Sequence, residues 1–293
     1  MITLGISSTF APPHSLVDEA LDIAIREDLG CLDQKDITSS AVVDGERVAT
    51  GSLYLKQPAV IAGLDIFTYA LKKFDRRISV TPQVSDGERL EEPVQCIATF
   101  RGPALSILSG ERLALNLLQR MSGIATVTKK YVDLAQPYSI QIRDTRKTTP
   151  GLRIFERQAV AAAGGTNHRF GLFDAILIKD NHIKISGGIE AAIDALKEAH
   201  PDLPIEVEAT SLHEVQAAVD RNVHTILLDN MNPTMVRRSL AIIQGRCFVE
   251  VSGGINLSNL KDYLIPGVNA ISIGALTHSA PSIDISLEIE SYL

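Results

Sequence analysis

The chain has 293 residues, of which 45% are apolar and 22% are charged, a composition typical of a folded globular protein and unlike that of a disordered one. Its formal net charge of −7 argues against a general nucleic-acid-binding surface, which needs an excess of Lys and Arg. The N-terminal segment has no basic start followed by an apolar run, and no stretch approaches the roughly 20 apolar residues of a membrane helix. We therefore expect neither a secretory signal nor a membrane span.

The three cysteines, Cys31, Cys96 and Cys247, lie far apart in the sequence and share no metal-ligand spacing. This usage fits a reducing compartment better than an oxidising one. We expect a cytoplasmic protein.

The N-terminal part mixes helical and strand patterns. A helix is predicted at HSLVDEALDIAIREDLG, and a second at GLDIFTYALKKF, because apolar residues recur at helical spacing. Three segments around the second helix are rich in β-formers: VATGSLYLKQPAVIAG, ISVTPQV and PVQCIATFRG. This order of elements predicts an α+β layer domain.

A long amphipathic helix is predicted next, over GERLALNLLQRMSGIATVTKKYVDLA. Its apolar stripe includes Leu113, Leu117 and Met121, while Arg112 and Asn116 share the opposite face. An arginine on such a face is ordinarily a surface residue.

From about residue 139, short apolar strands alternate regularly with helices. Successive βα units predict a parallel sheet with helices outside it. We favour a barrel over a doubly wound sheet because no GxGxxG turn follows the first strand. The predicted strands lie in SIQIRDT, DAILIKDNH, PIEVEA, HTILLDN, CFVEVSGG and AISIGAL.

Charged residues follow these strands, at the end of a parallel barrel where binding sites are built. Turn formation or a solvated basic face could explain some of them. The early units nevertheless supply cations, the later units supply carboxylates, and the last two strands end in glycine-rich turns of the kind that cradle phosphate. This division predicts a polyanion on the cations and a sugar, a Mg²⁺ ion or a developing positive charge on the carboxylates.

The motifs DTRKTTPGLR, HRFGLFDAILIKDNH, EVEA, LLDN, VSGGI and ISIGALTH occur in this order and resemble those of the quinolinate phosphoribosyltransferase family. Upstream, EDLG…DITS, IAGLDIF and GERLALNLLQRMSGIAT resemble its N-terminal domain, so the resemblance covers nearly the whole chain. Lys35 stands where the family often has Gly, at a position of loop geometry.

The resemblance implies a two-domain α/β protein: an N-terminal α/β sandwich, residues 1–119, and an incomplete, open TIM-like α/β barrel, residues 120–293. The final residues of the chain would pack back on the N-terminal domain. The family also implies a homodimer, or a hexamer built as a trimer of dimers, in which the active site at the barrel mouth is shared between neighbouring subunits.

The resemblance also assigns roles to individual residues. The carboxylates of quinolinate would meet Arg146, His168, Arg169 and Lys179, with Arg112 donated by the neighbouring subunit. The second substrate, phosphoribosyl pyrophosphate, would meet a larger set: Lys147, Glu208, Asp229, Ser252, Gly253, Gly254, Gly274 and His278.

Within this set, Lys147, Glu208 and Asp229 are the expected catalytic residues. The two carboxylates are the expected ligands of Mg²⁺, either directly or through water. The reaction implied joins quinolinate to phosphoribosyl pyrophosphate and yields nicotinate mononucleotide, pyrophosphate and carbon dioxide, a step of de novo NAD biosynthesis.

Three alternatives remain open from the sequence. The first is a related phosphoribosyltransferase with another acceptor, although IKDNH after HRFGLFDAIL argues against the molybdenum-transport-linked relatives. The second is a Schiff-base aldolase that uses Lys179, a lysine at the end of a predicted barrel strand. The third is a non-catalytic metabolite sensor on the same scaffold.

Overall fold

The structure, a computed structural model, describes residues 13–30, 35–43 and 47–292. It forms two compact units. The N-terminal unit contains the described residues up to Lys129 together with 148–164 and 279–292, and the barrel unit contains 130–147 and 165–278. Cys96 and Cys247 are free thiols, whereas Cys31 lies outside the described residues.

The N-terminal half of the chain contains the predicted helices and strands. Its elements are α1 His14–Leu29, α2 Ile37–Val42, β1 Val48–Leu55, β2 Ala59–Val60, α3 Leu64–Phe74, β3 Ser79–Pro82, β4 Arg89–Leu90, β5 Gln95–Pro103 and α4 Ala104–Ala135.

The rest of the chain alternates strands and helices. Its elements are β6 Gln141–Arg143, α5 Arg153–Ala162, β7 Ile176–Ile178, α6 Asp180–Ser186, α7 Ile189–Ala199, β8 Ile205–Ala209, α8 Leu212–Asp220, β9 Thr225–Asp229, α9 Pro233–Ile243, β10 Phe248–Ser252, α10 Leu260–Tyr263, β11 Ala270–Ser272, α11 Ala275–His278 and β12 Ile285–Tyr292.

The N-terminal unit is built on an antiparallel sheet of order β12-β1-β5-β3. Helix α3 buries one face, with Phe67, Ala70 and Leu71 fully inaccessible, because these apolar residues recur at helical spacing. Short strands β2 and β4 pair separately.

The long helix α4 has the predicted two-faced pattern. Leu113, Leu118 and Met121 are buried, whereas Arg112 and Asn116 are exposed. The predicted domain boundary at 119/120 falls inside this continuous helix. The compact units follow contacts instead of chain order, since the last strand pairs with β1 and the α5 segment belongs with the N-terminal residues.

The barrel unit contains six parallel strands in the order β6-β11-β10-β9-β8-β7. Strands β6 and β7 are the two edges, so the sheet is open, as expected. Its apolar residues are buried on both faces, as parallel strands require; Val207, Ile226, Leu228 and Val251 are fully inaccessible. The parallel order brings the C-terminal ends of all six strands to one edge.

Five elements were not predicted from the sequence: α2, β4, α6, α11 and β12. Helix α6 begins directly after Lys179, where the sequence indicates only a polar strand end. None of the helices in the described part of the chain has the length and apolar character that crossing a bilayer requires.

Candidate active site

A pocket of about 700 Å³ lies at the C-terminal ends of the barrel strands. All of its lining residues belong to the barrel unit, and they include every predicted site residue except Arg112. The volume is in the usual range for a small-molecule site.

Cations line the pocket from the two edges of the sheet. Arg146 and Lys147 follow β6, and Lys179 follows β7. Arg169 lies in a segment that runs beside β6, since Thr166 forms a parallel bridge with Arg143. Together these side chains can bind a small polyanion.

Arg169 is the most enclosed of these cations, with only 5% of its surface exposed. Its Nη1 donates to the carbonyl of Ala175 at 3.1 Å. Burial, and then the positive charge of Arg146, lower the pKa of Arg169 from its usual value. An anion placed here would relieve that repulsion.

Carboxylates occupy the middle of the sheet. Glu208 lies in β8, directly after the buried Val207, and Asp229 is the last residue of β9. Burial raises the pKa of Glu208; the nearby Lys179 ammonium opposes the rise and the charge of Asp229 adds to it. In the structure Lys179 Nζ lies 3.2 Å from Glu208 Oε2, so a cation from the sheet edge pairs with a carboxylate of its centre.

The turn after β10 brings glycines against the end of β9. Gly253 has a φ of 97° and Gly254 a φ of 63°, conformations that favour glycine. A Cβ on Gly253 would lie 2.6 Å from the backbone nitrogen of Asn230, so only glycine fits there. The side-chain amide of Asn230 donates through Nδ2 to Asp229 Oδ2 at 2.6 Å.

A second glycine turn follows β11 and adjoins Lys147. A Cβ on Gly274 would lie 2.9 Å from Lys147 Cδ and 3.2 Å from the ring of His278. The Thr277 hydroxyl donates to the Lys147 carbonyl at 2.8 Å and holds this segment beside β11. Both glycine turns expose backbone to the pocket, an arrangement suited to a phosphate group.

A layer of buried charged side chains lies at the bottom of the pocket, and some of them, including Glu250 and His168, also line it. Arg143, Glu250 and Glu206 come from β6, β10 and β8, which alternate in the sheet order, and all three are buried. Barrel interiors are built of such layers, normally from branched apolar residues. Here Arg143 Nη1 donates to Glu250 Oε2 at 2.8 Å, and the Ser272 hydroxyl donates to Glu250 Oε1.

His168 completes this layer from the segment beside β6. Its Nε2 lies 3.4 Å from Glu206 and 3.5 Å from Glu250, and its backbone N–H donates to Asp144 at 2.7 Å. Burial by itself lowers the pKa of His168, but the negative charges of Glu250 and Glu206 outweigh burial and raise it to about 9. Burial also raises the pKa of Glu206.

His168 and Glu206 titrate together, because they are in contact. Two carboxylates, the Arg143 guanidinium and one further proton shared by His168 and Glu206 sum to zero charge. A neutral layer is the arrangement that a water-free interior favours. His168, Glu206 and Glu250 have donor atoms within 4.8 Å of one another, as a metal site requires, but the Arg143 cation at the same carboxylate disfavours a metal ion there.

The sequence indicated this layer only in part. Glu206 and Glu250 lie in the predicted strands PIEVEA and CFVEVSGG, and the sequence assigns neither residue a role. Their spacing contains the missing signal, since Glu206 and Glu208, like Glu250 and Ser252, are two apart and so share one face of a strand. Glu208 and Ser252 line the pocket near its mouth, whereas Glu206 and Glu250 lie deeper.

Comparison with protein families agrees with the geometry. Residues 124–288 match the quinolinate phosphoribosyl transferase C-terminal domain, and residues 36–122 match the N-terminal domain of the same family. The two matches meet within four residues of the predicted boundary at 119/120.

Individual relatives are similar over almost their whole length. A probable nicotinate-nucleotide pyrophosphorylase (carboxylating) of Bacillus subtilis is 40% identical over 94% of each chain. The nicotinate-nucleotide pyrophosphorylase (carboxylating) of Mycobacterium leprae is 41% identical over 87% of this chain and 91% of its own.

Solved structures agree as well. NadC from Streptococcus pyogenes is 37% identical and superposes with a TM-score of 0.90 over 97% of this chain and all of its own. With its two family domains, its fold and its pocket in agreement, the chain belongs to the quinolinate phosphoribosyltransferase family.

Proposed function

We propose that this protein is a quinolinate phosphoribosyltransferase, a decarboxylating pentosyltransferase of de novo NAD biosynthesis. It would join quinolinate to phosphoribosyl pyrophosphate and release pyrophosphate, carbon dioxide and nicotinate mononucleotide. The observation that carries the proposal is one pocket with cations at its sides, carboxylates at its centre and two glycine turns beside them. Such a pocket suits a dicarboxylate and a phosphorylated sugar that bind side by side.

The dicarboxylate belongs against the cationic wall. Arg146 and Arg169 offer guanidinium forks, which match carboxylates in bidentate geometry, and Lys179 offers a point charge. Each charge-assisted hydrogen bond contributes about 1.5–3 kcal/mol. His168, which lines the same pocket, completes this set.

The phosphorylated sugar belongs over the centre of the sheet. Ser252, Gly253 and Gly254 would receive its 5′-phosphate, together with Gly274 and His278. Lys147, packed on Gly274, would neutralise phosphate charge, and Glu208 and Asp229 would hold the ribose hydroxyls.

The ion pair of Lys179 and Glu208 links the two subsites. A carboxylate of the first substrate would compete for the Lys179 ammonium and release Glu208 towards the ribose. This exchange is inexpensive because Lys179 is 45% exposed in its side chain.

The chemistry is a displacement at C1 of the ribose. The pyridine nitrogen attacks with its own lone pair, so no general base is needed, and pyrophosphate leaves. Glu208 or Asp229 would stabilise the positive charge that develops on the ribose ring. Holding two anions side by side would supply much of the acceleration. The bond between ring carbon C2 and its carboxylate then breaks and carbon dioxide leaves. The electron pair stays on C2, where the adjacent pyridinium nitrogen stabilises it, and C2 takes up a proton from water to give nicotinate mononucleotide.

Mg²⁺ is the expected cofactor. Glu208 and Asp229 provide hard oxygen donors on adjacent strands, and the charge of Asp229 helps to raise the pKa of Glu208, so a divalent cation between them would be favoured. When bound, Mg²⁺ would neutralise the leaving pyrophosphate.

The function is tested by pyrophosphate release from phosphoribosyl pyrophosphate with quinolinate and with nicotinate as the acceptor. Turnover with quinolinate and none with nicotinate, accompanied by one carbon dioxide per pyrophosphate, is expected. Equal turnover with both acceptors would indicate another acceptor specificity. No turnover with either acceptor would favour the alternative of a non-catalytic metabolite sensor.

The metal proposal has its own test. Activity should disappear when magnesium is removed and return when it is added back, and the purified protein should contain no stoichiometric zinc. Zinc in the protein, with activity that survives magnesium removal, would contradict the proposal.

The aldolase alternative is disfavoured by the surroundings of Lys179. A Schiff-base lysine must be neutral, whereas Lys179 is paired with a carboxylate. Borohydride trapping of a carbonyl substrate on Lys179 would revive this alternative.

We also propose that the active protein is a dimer, or an assembly of dimers, with Arg112 of one subunit completing the site of its neighbour. Arg112 is exposed on α4, and its guanidinium suits a carboxylate. Inactive Arg112→Ala and Lys179→Ala subunits, mixed equally, should recover about a quarter of wild-type activity, since half of the dimers are mixed and each has one intact site. Verified exchange without recovery would refute the shared site.

The cytoplasmic location expected from cysteine usage stays a prediction. The rice relative is named as chloroplastic and a tobacco relative as mitochondrial, so location varies within the family.

A further inference from the structure

The chain that leads into β7 makes a loop that carries Arg169 into the pocket. Before the loop, Thr166 bridges to Arg143 of β6, and after it β7 begins at Ile176. Arg169 lies between these two points and lines the pocket. The position of its guanidinium therefore depends on how residues 170–175 are folded.

The carboxylate of Asp174 closes this loop. Its Oδ2 accepts the backbone N–H of Phe170 at 2.6 Å, and its Oδ1 accepts the backbone N–H of Gly171 at 2.8 Å. Hydrogen bonds to an ionised carboxylate are roughly twice as strong as those between neutral groups. Asp174 thus ties the far end of the loop to the two residues that follow Arg169.

Apolar burial contributes little at the tip of the loop. Leu172 and Phe173 are 71% and 69% exposed, although the rings of Phe170 and Phe173 lie 6.4 Å apart. Side chains as exposed as these remove little apolar surface from water. Polar contacts, including those of Asp174, therefore hold the loop in shape.

The guanidinium of Arg169 is attached to the same loop. Its Nη1 donates at 3.1 Å to the carbonyl of Ala175, the residue directly after Asp174. Asp174 is therefore linked to Arg169 in two ways: through the Phe170 N–H to its main chain, and through Ala175 to its guanidinium. Burial lowers the pKa of Arg169, and the negative charge of Asp174 opposes that fall.

We propose that Asp174 is a positioning residue, which holds the Arg169 guanidinium where it binds a carboxylate of the substrate and does not touch the substrate itself. This inference rests on the proposed function, because it concerns how the dicarboxylate is held. Among the described residues, the pocket lining includes Arg169 but not Asp174. A change at Asp174 can therefore reach the dicarboxylate only through the loop.

The direct test is Asp174→Asn. An amide has one acceptor oxygen, so its NH₂ group must face one of the two backbone N–H groups and the loop opens. We expect the KM for quinolinate to rise about tenfold, with kcat and the KM for phosphoribosyl pyrophosphate each within about twofold, because one binding group is misplaced and the others are not. An unchanged KM for quinolinate in the folded variant would overturn the proposal.

A double-mutant cycle distinguishes positioning from a general structural role. Arg169→Lys keeps the positive charge but loses the fork that can bind Ala175 and a carboxylate together. If Asp174 acts through Arg169, adding Asp174→Asn to Arg169→Lys should raise the KM for quinolinate by less than about twofold more. If the two effects multiply in full, Asp174 acts elsewhere and the proposal is wrong.

The matched control is Glu214→Ala. The Glu214 carboxylate likewise accepts two consecutive backbone N–H groups of the barrel unit, those of Thr210 and Ser211, and neither residue is in the pocket lining. The control should lose stability and keep its KM for quinolinate. A rise in KM as large as that of Asp174→Asn would attribute the effect to lost stability and would refute the positioning role.

Hydrogen exchange tests the loop without any variant or substrate. The amide hydrogens of Phe170 and Gly171 in the wild-type protein should exchange with deuterium at least about tenfold more slowly than in an unfolded chain, because a bonded amide exchanges only when its bond opens. Unprotected amides at both positions would overturn the proposal even if Asp174→Asn does not fold.

Equilibrium binding of quinolinate, measured by calorimetry, separates this inference from the proposed function. Weaker binding by Asp174→Asn, together with no turnover by the wild-type protein, would refute the proposed function and support the inference. Equal Kd values for the variant and the wild type would overturn the inference whether or not quinolinate is turned over. If the wild-type protein binds no quinolinate, both proposals fail.

Discussion

Two ion pairs of the barrel unit differ in their surroundings although both form within the same parallel sheet, the first between the ends of β7 and β8 and the second between β6 and β10. Lys179 and Glu208 meet at the pocket mouth, where the lysine side chain is 45% exposed. Arg143 and Glu250 meet in the layer beneath, where neither side chain is more than 1% exposed. Exposed pairs exchange partners at little cost, whereas a buried pair cannot lose one member without leaving a charge in the interior. The pair at the pocket mouth is therefore suited to binding a substrate, and the buried pair is suited to stabilising the fold.

The largest expected effect is a loss of activity when cations at the pocket mouth are replaced. Arg146→Ala and Lys179→Ala should each reduce kcat/KM for quinolinate by about 10³-fold, since an unpaired carboxylate left in the pocket costs about 3–5 kcal/mol. Thermal unfolding should stay close to wild type. Lys184→Ala is the control, because Lys184 is exposed and its ion pair among the described residues is with Asp180 of its own helix. Near-normal kinetics in either active-site variant would remove that residue from the site.

The deep pair should instead control stability. Glu250→Gln and Arg143→Met should each lower the free energy of unfolding by about 3–5 kcal/mol in a denaturant titration, because each leaves one buried charge without its partner. The double variant should lose less than the sum of the two. An Arg143→Met protein as stable as wild type would show that the deep layer does not support the fold.

Alanine variants of Gly253 and Gly254, in the turn after β10, measure the cost of backbone strain separately from the cost of a steric clash. Gly254→Ala should cost about 1–2 kcal/mol of stability, the cost of a side chain at positive φ. Gly253→Ala should cost more and should also raise the KM for phosphoribosyl pyrophosphate, because its Cβ meets Asn230 beside Asp229 whereas Gly254 has open space. Equal losses in both variants would contradict a role for the contact with Asn230.

The smallest effect should come from Glu208→Gln, and its sign depends on pH. Burial raises the pKa of Glu208 in the folded protein, so ionisation of this group opposes folding. Its stabilising contribution is complete below the pKa of the unfolded chain and is lost as pH rises through the folded pKa. The Gln variant should therefore be slightly more stable than wild type at pH 8, by less than about 1 kcal/mol. This difference should vanish as pH falls towards 4, and measuring unfolding at both pH values distinguishes it from Glu250→Gln.

Much of the architecture could be predicted from the sequence. Short apolar runs located the six barrel strands, because parallel strands are buried on both faces. Apolar residues recurring at a period of 3.6 located the long helix α4, because an amphipathic helix is buried on one face. The predicted site residues in the barrel were placed together at one pocket, since parallel strands end at the same edge. Short elements such as α6 escaped prediction because polar strand ends and helix starts have similar composition.

What the sequence by itself determined is the set of elements and the chemistry at their ends: cations early, carboxylates later and glycine turns last. Only the tertiary structure decided which of these groups pair. Arg143 and Glu250 are 107 positions apart in the chain, and His168 and Glu206 are 38 apart. Their contacts depend on strand order and on the layer that each side chain enters, neither of which local periodicity encodes.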